Sequence, residues 1–187
     1  MISVRWTSLL SRALHYNILS MDVALEINVL AAELVAMLQA QGKTFATAES
    51  CTGGAISQAV TSVPGCSSVM RGAVVAYHND VKAGVLGVGE DTLSEYGAVS
   101  EEVVIQMVGG VSAMLGADCA VATSGIAGPG GGTPEKPVGT VWVAAKVGTD
   151  IRTRLLQLED AGRAANVKSS VAEAFRLVLD MLSCAEG

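Results

Sequence analysis

The sequence predicts an α/β fold: a three-layer α/β/α sandwich whose mixed sheet is mostly parallel and includes an antiparallel hairpin. Short apolar, β-prone segments alternate with segments of helical periodicity along most of the chain, which is typical of a sheet covered by helices. The last two strand-like segments are separated only by the turn 148–150, which favours an antiparallel pair. Half of the residues are hydrophobic but only 4% are aromatic, so we expect a core of small aliphatic side chains.

Each element is predicted from a local pattern. The first helix ends at Gly42, a favourable residue after a helix C-terminus. Another helix begins after Ser100, whose hydroxyl can cap it, and Glu101 and Glu102 complement its dipole. The predicted helices cover residues 22–41, 55–63, 101–115 and 164–182. The predicted strands cover residues 43–49, 71–77, 118–124, 140–147 and 151–158, whereas 81–88 is ambiguous and 125–139 is a glycine-rich loop.

The first 21 residues are expected to form an N-terminal leader that is not part of the fold. They carry Arg5 and Arg12 with no acidic residue and no continuous apolar segment suited to secretion. A targeting peptide and a non-native or upstream start both remain open interpretations. Residues 22–187 are then predicted to be one domain, because a chain of this length can bury a full core.

Composition argues against several classes of function. The net charge of −6 and the lack of any Lys/Arg-rich run indicate that the protein does not bind nucleic acid. The four cysteines include no C-x-x-C pair, so we expect no zinc site and predict reduced thiols in a cytoplasmic protein. Polar residues and glycines interrupt the long uncharged run 50–70, so no membrane partner is expected either.

Three polar or glycine-rich segments follow three apolar strands. They are ESCTGG (49–54), YHNDVK (77–82) and SGIAGPGGG (124–132). In open α/β sheets, ligands bind beyond the carboxyl ends of the strands. We therefore expect these three segments to form one site.

A serine and a lysine are the first candidates for chemistry. Ser50 is either a nucleophile at a strand-to-helix turn or a plain helix N-cap. Lys82 is either a buried, neutral base or a solvated surface lysine. The hydroxyl of Tyr77 either assists the reaction or belongs to a half-buried core residue.

A thiol mechanism is the alternative from the same segments. Cys51 would be the nucleophile at the helix N-terminus and His78 its base, although a buried structural cysteine also explains the residue. The glycine-rich loop lacks the Walker lysine and a following helix, so it is neither a P-loop nor a dinucleotide fingerprint. These features of the loop do not identify the ligand that it binds.

The motifs resemble those of a known family. TAESCTGG, VPGCSS, VVAYHNDVK, YGAVSEEVV and SGIAGPGGGTPEKPVGTVW occur in the order found in the CinA C-terminal domain family. The resemblance covers about residues 24–182. It implies an amidohydrolase that deamidates nicotinamide mononucleotide to nicotinate mononucleotide and ammonia, with a pyridine nucleotide as its partner, no cofactor, no metal and self-association into a homo-oligomer.

The resemblance also implies roles for individual residues. Ser50 is the nucleophile, Tyr77 an assisting hydroxyl and Lys82 the general base. From the position of Ser50 at a strand-to-helix turn, we further expect the backbone amides of residues 50–54 to hold the oxyanion. The family commonly has a small residue where this chain has His78, which makes a catalytic histidine less favoured. The implied substrate contacts are Glu49, Thr52, Gly53, Gly54, Asn79, Ser124, Gly125, Ile126, Ala127, Gly128 and Arg163.

One segment departs from the family. Members usually carry Gly-Asp-Arg before the last helix, where the arginine is suited to a substrate phosphate. This chain reads EDAGRAANVK (159–168), and ungapped alignment puts Ala164 at the arginine position, next to Arg163. Either Arg163 takes the role after a one-residue shift, or the domain is a weakly active or inactive nucleotide-binding module.

Overall fold

A computed structural model describes residues 23–159 and 161–184, in which five strands form one sheet between two layers of helices. This is the three-layer α/β/α arrangement that the sequence predicts. The expected leader, residues 1–21, lies outside the described residues. The strand order is β2-β1-β3-β4-β5, with β1 parallel to both β2 and β3, and with β4 and β5 antiparallel.

The elements follow the predicted order. Helix α1 covers residues 23–40. The strands are β1 Phe45–Glu49, β2 Met70–Val75, β3 Cys119–Gly125, β4 Thr140–Val147 and β5 Asp150–Gln157. The other helices are α2 Ala55–Thr61, α3 Asn79–Leu86, α4 Glu90–Tyr96, α5 Glu101–Leu115 and α6 Arg163–Cys184, with a 3-10 turn at Cys66–Ser68.

Two stretches differ from the sequence-based expectation. The ambiguous segment 81–88 belongs to helix α3, whose N-terminus is capped by the His78 ring accepting from the Asp80 amide at 3.4 Å. Helix α4 was not anticipated, because its short sequence EDTLSEY buries no residue and carries no clear apolar period. The predicted strand 71–77 ends at Val75, which leaves Ala76 and Tyr77 in a connecting turn.

The two faces of the sheet bury different kinds of side chain. On one face, Phe45 and Phe175 lie in a core shared by α1, α2 and α6. On the other, α5 packs against alanines of three strands, among them Ala46, Ala120 and Ala144. Small side chains let a helix approach the sheet closely, which explains how a core so poor in aromatics is filled.

Helix α1 has a composition that the sequence analysis did not flag. Val23–Ala40 is long and apolar enough to cross a membrane by length and composition alone. Core helices of globular domains share these properties, and α1 places Ala31, Leu34, Val35 and Leu38 in the core.

A glycine in α5 sets the position of α3. A Cβ added at Gly110 would lie 1.9 Å from the backbone oxygen of Leu86, the last residue of α3, whereas one added at Gly109 meets nothing within 4 Å. The two helices therefore touch at Gly110, and this contact fixes the end of the helix that carries Lys82.

We expect Gly110→Ala to destabilise the fold by about 2 kcal/mol or more, because the new methyl group must push two backbones apart. The melting temperature should fall by about 4–8 °C in thermal unfolding followed by circular dichroism. Gly109→Ala is the matched control, and its better helix propensity should leave stability unchanged or raise it by up to about 1 kcal/mol. Equal effects of the two substitutions would contradict the close contact.

Candidate active site

Ser50 lies at the carboxyl edge of the sheet, directly after β1. Its amide donates to the Thr123 carbonyl of β3 at 3.0 Å, and its carbonyl accepts from the Gly53 amide at 3.1 Å. Left-handed conformations at Gly53 and Gly54, with φ of +62° and +102°, make this tight turn accessible. The N-cap of α2 is Gly54, so the interpretation of Ser50 as a helix cap is wrong.

Lys82 reaches Ser50 from helix α3. Its side chain is only 1% exposed, and its Nζ lies 3.1 Å from Ser50 Oγ. The same nitrogen donates to the Ala76 carbonyl at 2.9 Å and, at a longer 3.5 Å, to the Tyr77 carbonyl. The interpretation of Lys82 as a solvated surface residue is therefore wrong.

The amine of Lys82 is buried without a counter-ion. Among residues 23–159 and 161–184, no carboxylate forms an ion pair with it. Burial lowers the pKa of Lys82 from its ordinary 10.5, and a nearby Cys51 thiolate would raise it only in part. A neutral amine has two N–H bonds and one lone pair. With the N–H bonds directed to the two carbonyls, the lone pair is left for the Ser50 hydroxyl.

The Cys51/His78 alternative has little support in this geometry. Cys51 is buried, and burial raises the pKa of its thiol to about 11, so it is protonated near neutral pH. The His78 side chain is 76% exposed and contacts Asp80, with Nδ1 3.3 Å from Oδ2. The surroundings of Cys51 thus favour a protonated thiol, and the His78 imidazole contacts Asp80.

Glu49 has a role different from the ligand contact that the resemblance implies. Its side chain is fully buried, and its carboxylate accepts from the amides of Gly54, Ile56 and Ser57 at 2.9, 3.1 and 2.8 Å. The Thr47 hydroxyl donates a fourth hydrogen bond at 3.2 Å. Both oxygens are occupied, and the carboxylate caps helix α2.

This cap also changes the expected oxyanion site. The amides of Gly53 and Gly54 are engaged, the first by Ser50 and the second by Glu49. In the part of the chain that the structure describes, the amides of Cys51 and Thr52 have no backbone hydrogen-bond partner, and the Cys51 amide interacts only with its own thiol. These two donors, directly after the serine, are the ones available to a developing oxyanion.

Arg163 connects two of the three predicted segments. At the start of α6, its Nη2 donates to the Tyr77 hydroxyl at 2.8 Å and its Nη1 donates to the Gly128 carbonyl at 3.1 Å. Asn166, one turn later, donates to the Ala127 carbonyl at 3.1 Å. Asn166 was missed by the sequence analysis, since no motif distinguishes it from other helical polar residues.

Several other predicted contacts are engaged within the protein or lie apart from Ser50. The Thr52 hydroxyl lies 2.8 Å from that of Thr123, and Ser124 donates to the Ala98 carbonyl at 2.7 Å. Gly125 pairs with β4, as does Ile126 through its amide, and Asn79 is exposed at the start of α3. Their roles in substrate binding stay predictions.

The comparisons with known proteins agree with these motifs. A family model described as the CinA C-terminal domain matches residues 27–182. The chain belongs to this family. A CinA-like protein of Thermotoga sp. (strain RQ2) is 58% identical over 110 residues, which is 59% of this chain and 27% of that protein. A CinA-like protein of Cytophaga hutchinsonii is 47% identical over 142 residues, which is 76% of this chain and 34% of that protein.

Solved structures of the family share the fold of this CinA domain. A competence/damage inducible protein, CihA, from Agrobacterium tumefaciens superposes with a TM-score of 0.82 at 40% identity, covering 84% of this chain and 96% of that chain. A CinA superfamily protein from Klebsiella pneumoniae gives 0.81 at 34% identity, covering 84% and 98%. The chain thus spans nearly all of these solved domains, but about a third or less of the curated relatives named above.

A cavity in the CinA domain adjoins Arg163 and does not include Ser50 or Lys82. It measures about 620 Å³ between α1, α2 and α6, and Ala164 lies on its wall. Arg163 lies on the same wall, and its guanidinium reaches from there to Tyr77 and Gly128. In the described part of the chain, no group of three or more His, Cys, Asp or Glu side chains is suited to a metal ion.

We expect the burial of Lys82 to make the stability of the CinA domain depend on pH. Between the lowered pKa and 10.5, the unfolded chain binds more protons at this site than the folded one, so stability rises with pH. The free energy of unfolding of the wild type should rise relative to Lys82→Met across this window, by at most about 1.4 kcal/mol per pH unit. Below the lowered pKa, the difference should be constant.

Urea denaturation of both proteins from pH 6 to pH 10 measures this difference, since all other titrating groups cancel. A difference that does not change with pH would contradict a lowered lysine pKa.

Proposed function

We propose that this CinA domain is a serine amidohydrolase that deamidates nicotinamide mononucleotide to nicotinate mononucleotide and ammonia, in salvage of pyridine nucleotides. The observation that carries the proposal is the buried contact of 3.1 Å between Ser50 Oγ and Lys82 Nζ, with no ion pair from Lys82 to a carboxylate of residues 23–159 and 161–184. A serine hydroxyl needs a base to become a nucleophile, and a neutral lysine amine is one.

The first half of the reaction is acylation of the serine. The Ser50 hydroxyl gives its proton to Lys82 Nζ while its oxygen bonds to the carboxamide carbon. The negative charge on the former carbonyl oxygen is held by the amides of Cys51 and Thr52, because the neighbouring amides are occupied. When the C–N bond breaks, Lys82 returns the proton to the nitrogen, and ammonia leaves.

The second half is hydrolysis of the acyl-enzyme. Water gives a proton to the neutral Lys82 amine and attacks the ester carbon. The Ser50 oxygen leaves with that proton, which restores both groups and releases the nicotinate product. Ala76 and Tyr77 hold the amine by their carbonyls through both halves, so it need not reorient between them.

The substrate follows from the family resemblance together with the charge at Arg163. The guanidinium donates to two neutral oxygens, those of Tyr77 and Gly128, and no described carboxylate pairs with it. Its charge is therefore free to hold a phosphate. A pyridine nucleotide as the partner, a cytoplasmic location and self-association belong to the same proposal.

A binding-only module is the second candidate function. It is favoured by Ala164, which stands where the resemblance implies an arginine. Isothermal titration calorimetry distinguishes the two: affinity for nicotinamide mononucleotide without ammonia release would support the module. The position of Arg163 beside Tyr77 favours the enzyme.

We expect Ser50→Ala and Lys82→Met to lower ammonia release from nicotinamide mononucleotide by at least about 1,000-fold, because each removes one of the two groups that make the nucleophile. A coupled ammonia assay across several pyridine nucleotides measures this. Lys82→Arg should be equally inactive, since a guanidinium stays protonated. Ser94→Ala and Lys146→Met, at an exposed serine and a half-buried lysine outside the site, are the controls.

The rival thiol mechanism has a different signature in the same assay. Loss of turnover in Cys51→Ser, together with survival in Ser50→Ala, would overturn the Ser/Lys scheme. Wild-type ammonia release from either Ser50→Ala or Lys82→Met would overturn it as well.

We expect Arg163→Ala to raise KM for nicotinamide mononucleotide by about 10–100-fold, the loss typical of a hydrogen-bonded charge. For nicotinamide riboside, which lacks the phosphate, the rise in KM should be much smaller. Arg152→Ala, which removes an exposed positive charge on β5, is the matched control. An equal rise in KM for both substrates would mean that Arg163 only holds Tyr77 and the glycine-rich loop in place and does not bind the phosphate.

A further inference from the structure

We propose that Glu49 is a positioning residue that holds the Ser50 nucleophile in its reactive geometry. The inference rests on the proposed function and deepens it. Glu49 directly precedes the serine, and its carboxylate is anchored to the other end of the turn, at Gly54, Ile56 and Ser57. The turn 50–53 is thus closed at both ends by one buried side chain.

The hydrogen-bond pattern requires a carboxylate at this position. One oxygen, Oε2, accepts from the amides of Gly54 and Ile56, and the other, Oε1, accepts from the Ser57 amide and the Thr47 hydroxyl. Every partner is a donor. A glutamine of the same shape would direct its NH₂ group either at the Gly54 and Ile56 amides or at the Ser57 amide, so a donor would face an amide donor in both orientations.

The same cap selects which amides remain for the reaction. The first amides of a helix attract anions, and here an internal anion already occupies those of α2. A substrate oxyanion is therefore directed to Cys51 and Thr52, next to Ser50. Loss of the carboxylate would have two effects. It would free the α2 amides to compete for the oxyanion, and it would loosen the turn 50–53.

The positions of Lys82 and Arg163 do not depend on this cap. Lys82 is held by Ala76 and Tyr77, and Arg163 by Tyr77 and Gly128. The predicted consequence of losing Glu49 is therefore a fall in kcat with little change in KM. The acid limb of the pH profile of kcat, which reports the pKa of Lys82, should keep its position. Burial and Cys51 account for the pKa of Lys82, and Glu49 does not contribute to it.

The test compares Glu49→Gln with Val60→Ala. Val60 is fully buried in α2, so its truncation lowers the melting temperature while leaving the capped amides intact. We expect Glu49→Gln to lower kcat about 10–100-fold, the size associated with misplacement of a reacting group by about 1 Å, with KM within about twofold. Val60→Ala should keep kcat near the wild type at a temperature where both variants are folded.

A second readout does not require the substrate to be known. The rate at which a fluorophosphonate probe labels Ser50, followed by mass spectrometry, should fall in Glu49→Gln by a factor similar to kcat and stay unchanged in Val60→Ala. If the wild type releases no ammonia but Ser50 is labelled, the proposed substrate fails and the positioning role is still tested.

Three outcomes would overturn the inference. If Glu49→Gln keeps the same kcat and the same labelling rate as Val60→Ala, the carboxylate has only a structural role. A rise in KM alone would make it a substrate contact. A shifted acid limb in Glu49→Gln would mean that Glu49 acts by changing the pKa of Lys82.

Discussion

The arrangement of this site depends on a buried lysine amine that forms no ion pair with any carboxylate of the described residues. Removing a charge from water is unfavourable, so the surroundings of Lys82 favour its neutral form. The protein compensates with two carbonyls from the turn that follows β2, which hydrogen-bond the amine in either protonation state. A surface lysine would keep its ordinary pKa and remain a charged, weak base. The buried position gives this amine the lowered pKa that the proposed role as a base requires.

The sheet topology brings the rest of the site to the same place. Strands β1, β2 and β3 are parallel, so their carboxyl ends lie at one edge, and the turns that follow them carry Ser50, Tyr77 and the glycine-rich loop. The antiparallel pair β4 and β5 then returns the chain so that α6 begins at that edge. Arg163 lies near this edge for this reason, although it is far from Ser50 in the sequence.

Much of this could be predicted from sequence because periodicity and turn chemistry are local. The alternation of elements predicted the layers, and the rule for parallel sheets predicted that the three segments meet. Helix α4 was not predicted because none of its residues is buried. Helix α3 was not predicted because it is short and contains Gly84. The choice between Arg163 and Ala164 depends on where α6 begins, and the engagement of Glu49 depends on how the turn folds back on itself. Neither has a sequence signal independent of the tertiary structure.

The alanine-lined face of the sheet has a consequence for how the site tolerates change. Helix α5 lies on Ala46, Ala120 and Ala144, and it touches α3 through Gly110. A larger side chain on the sheet would displace α5 outward, and the displacement would pass to α3 and to the amine it carries. The separation of Lys82 Nζ from Ser50 Oγ would therefore depend in part on the bulk of residues that lie away from both atoms. Substitutions there would change this separation while leaving Ser50 and Lys82 themselves unaltered.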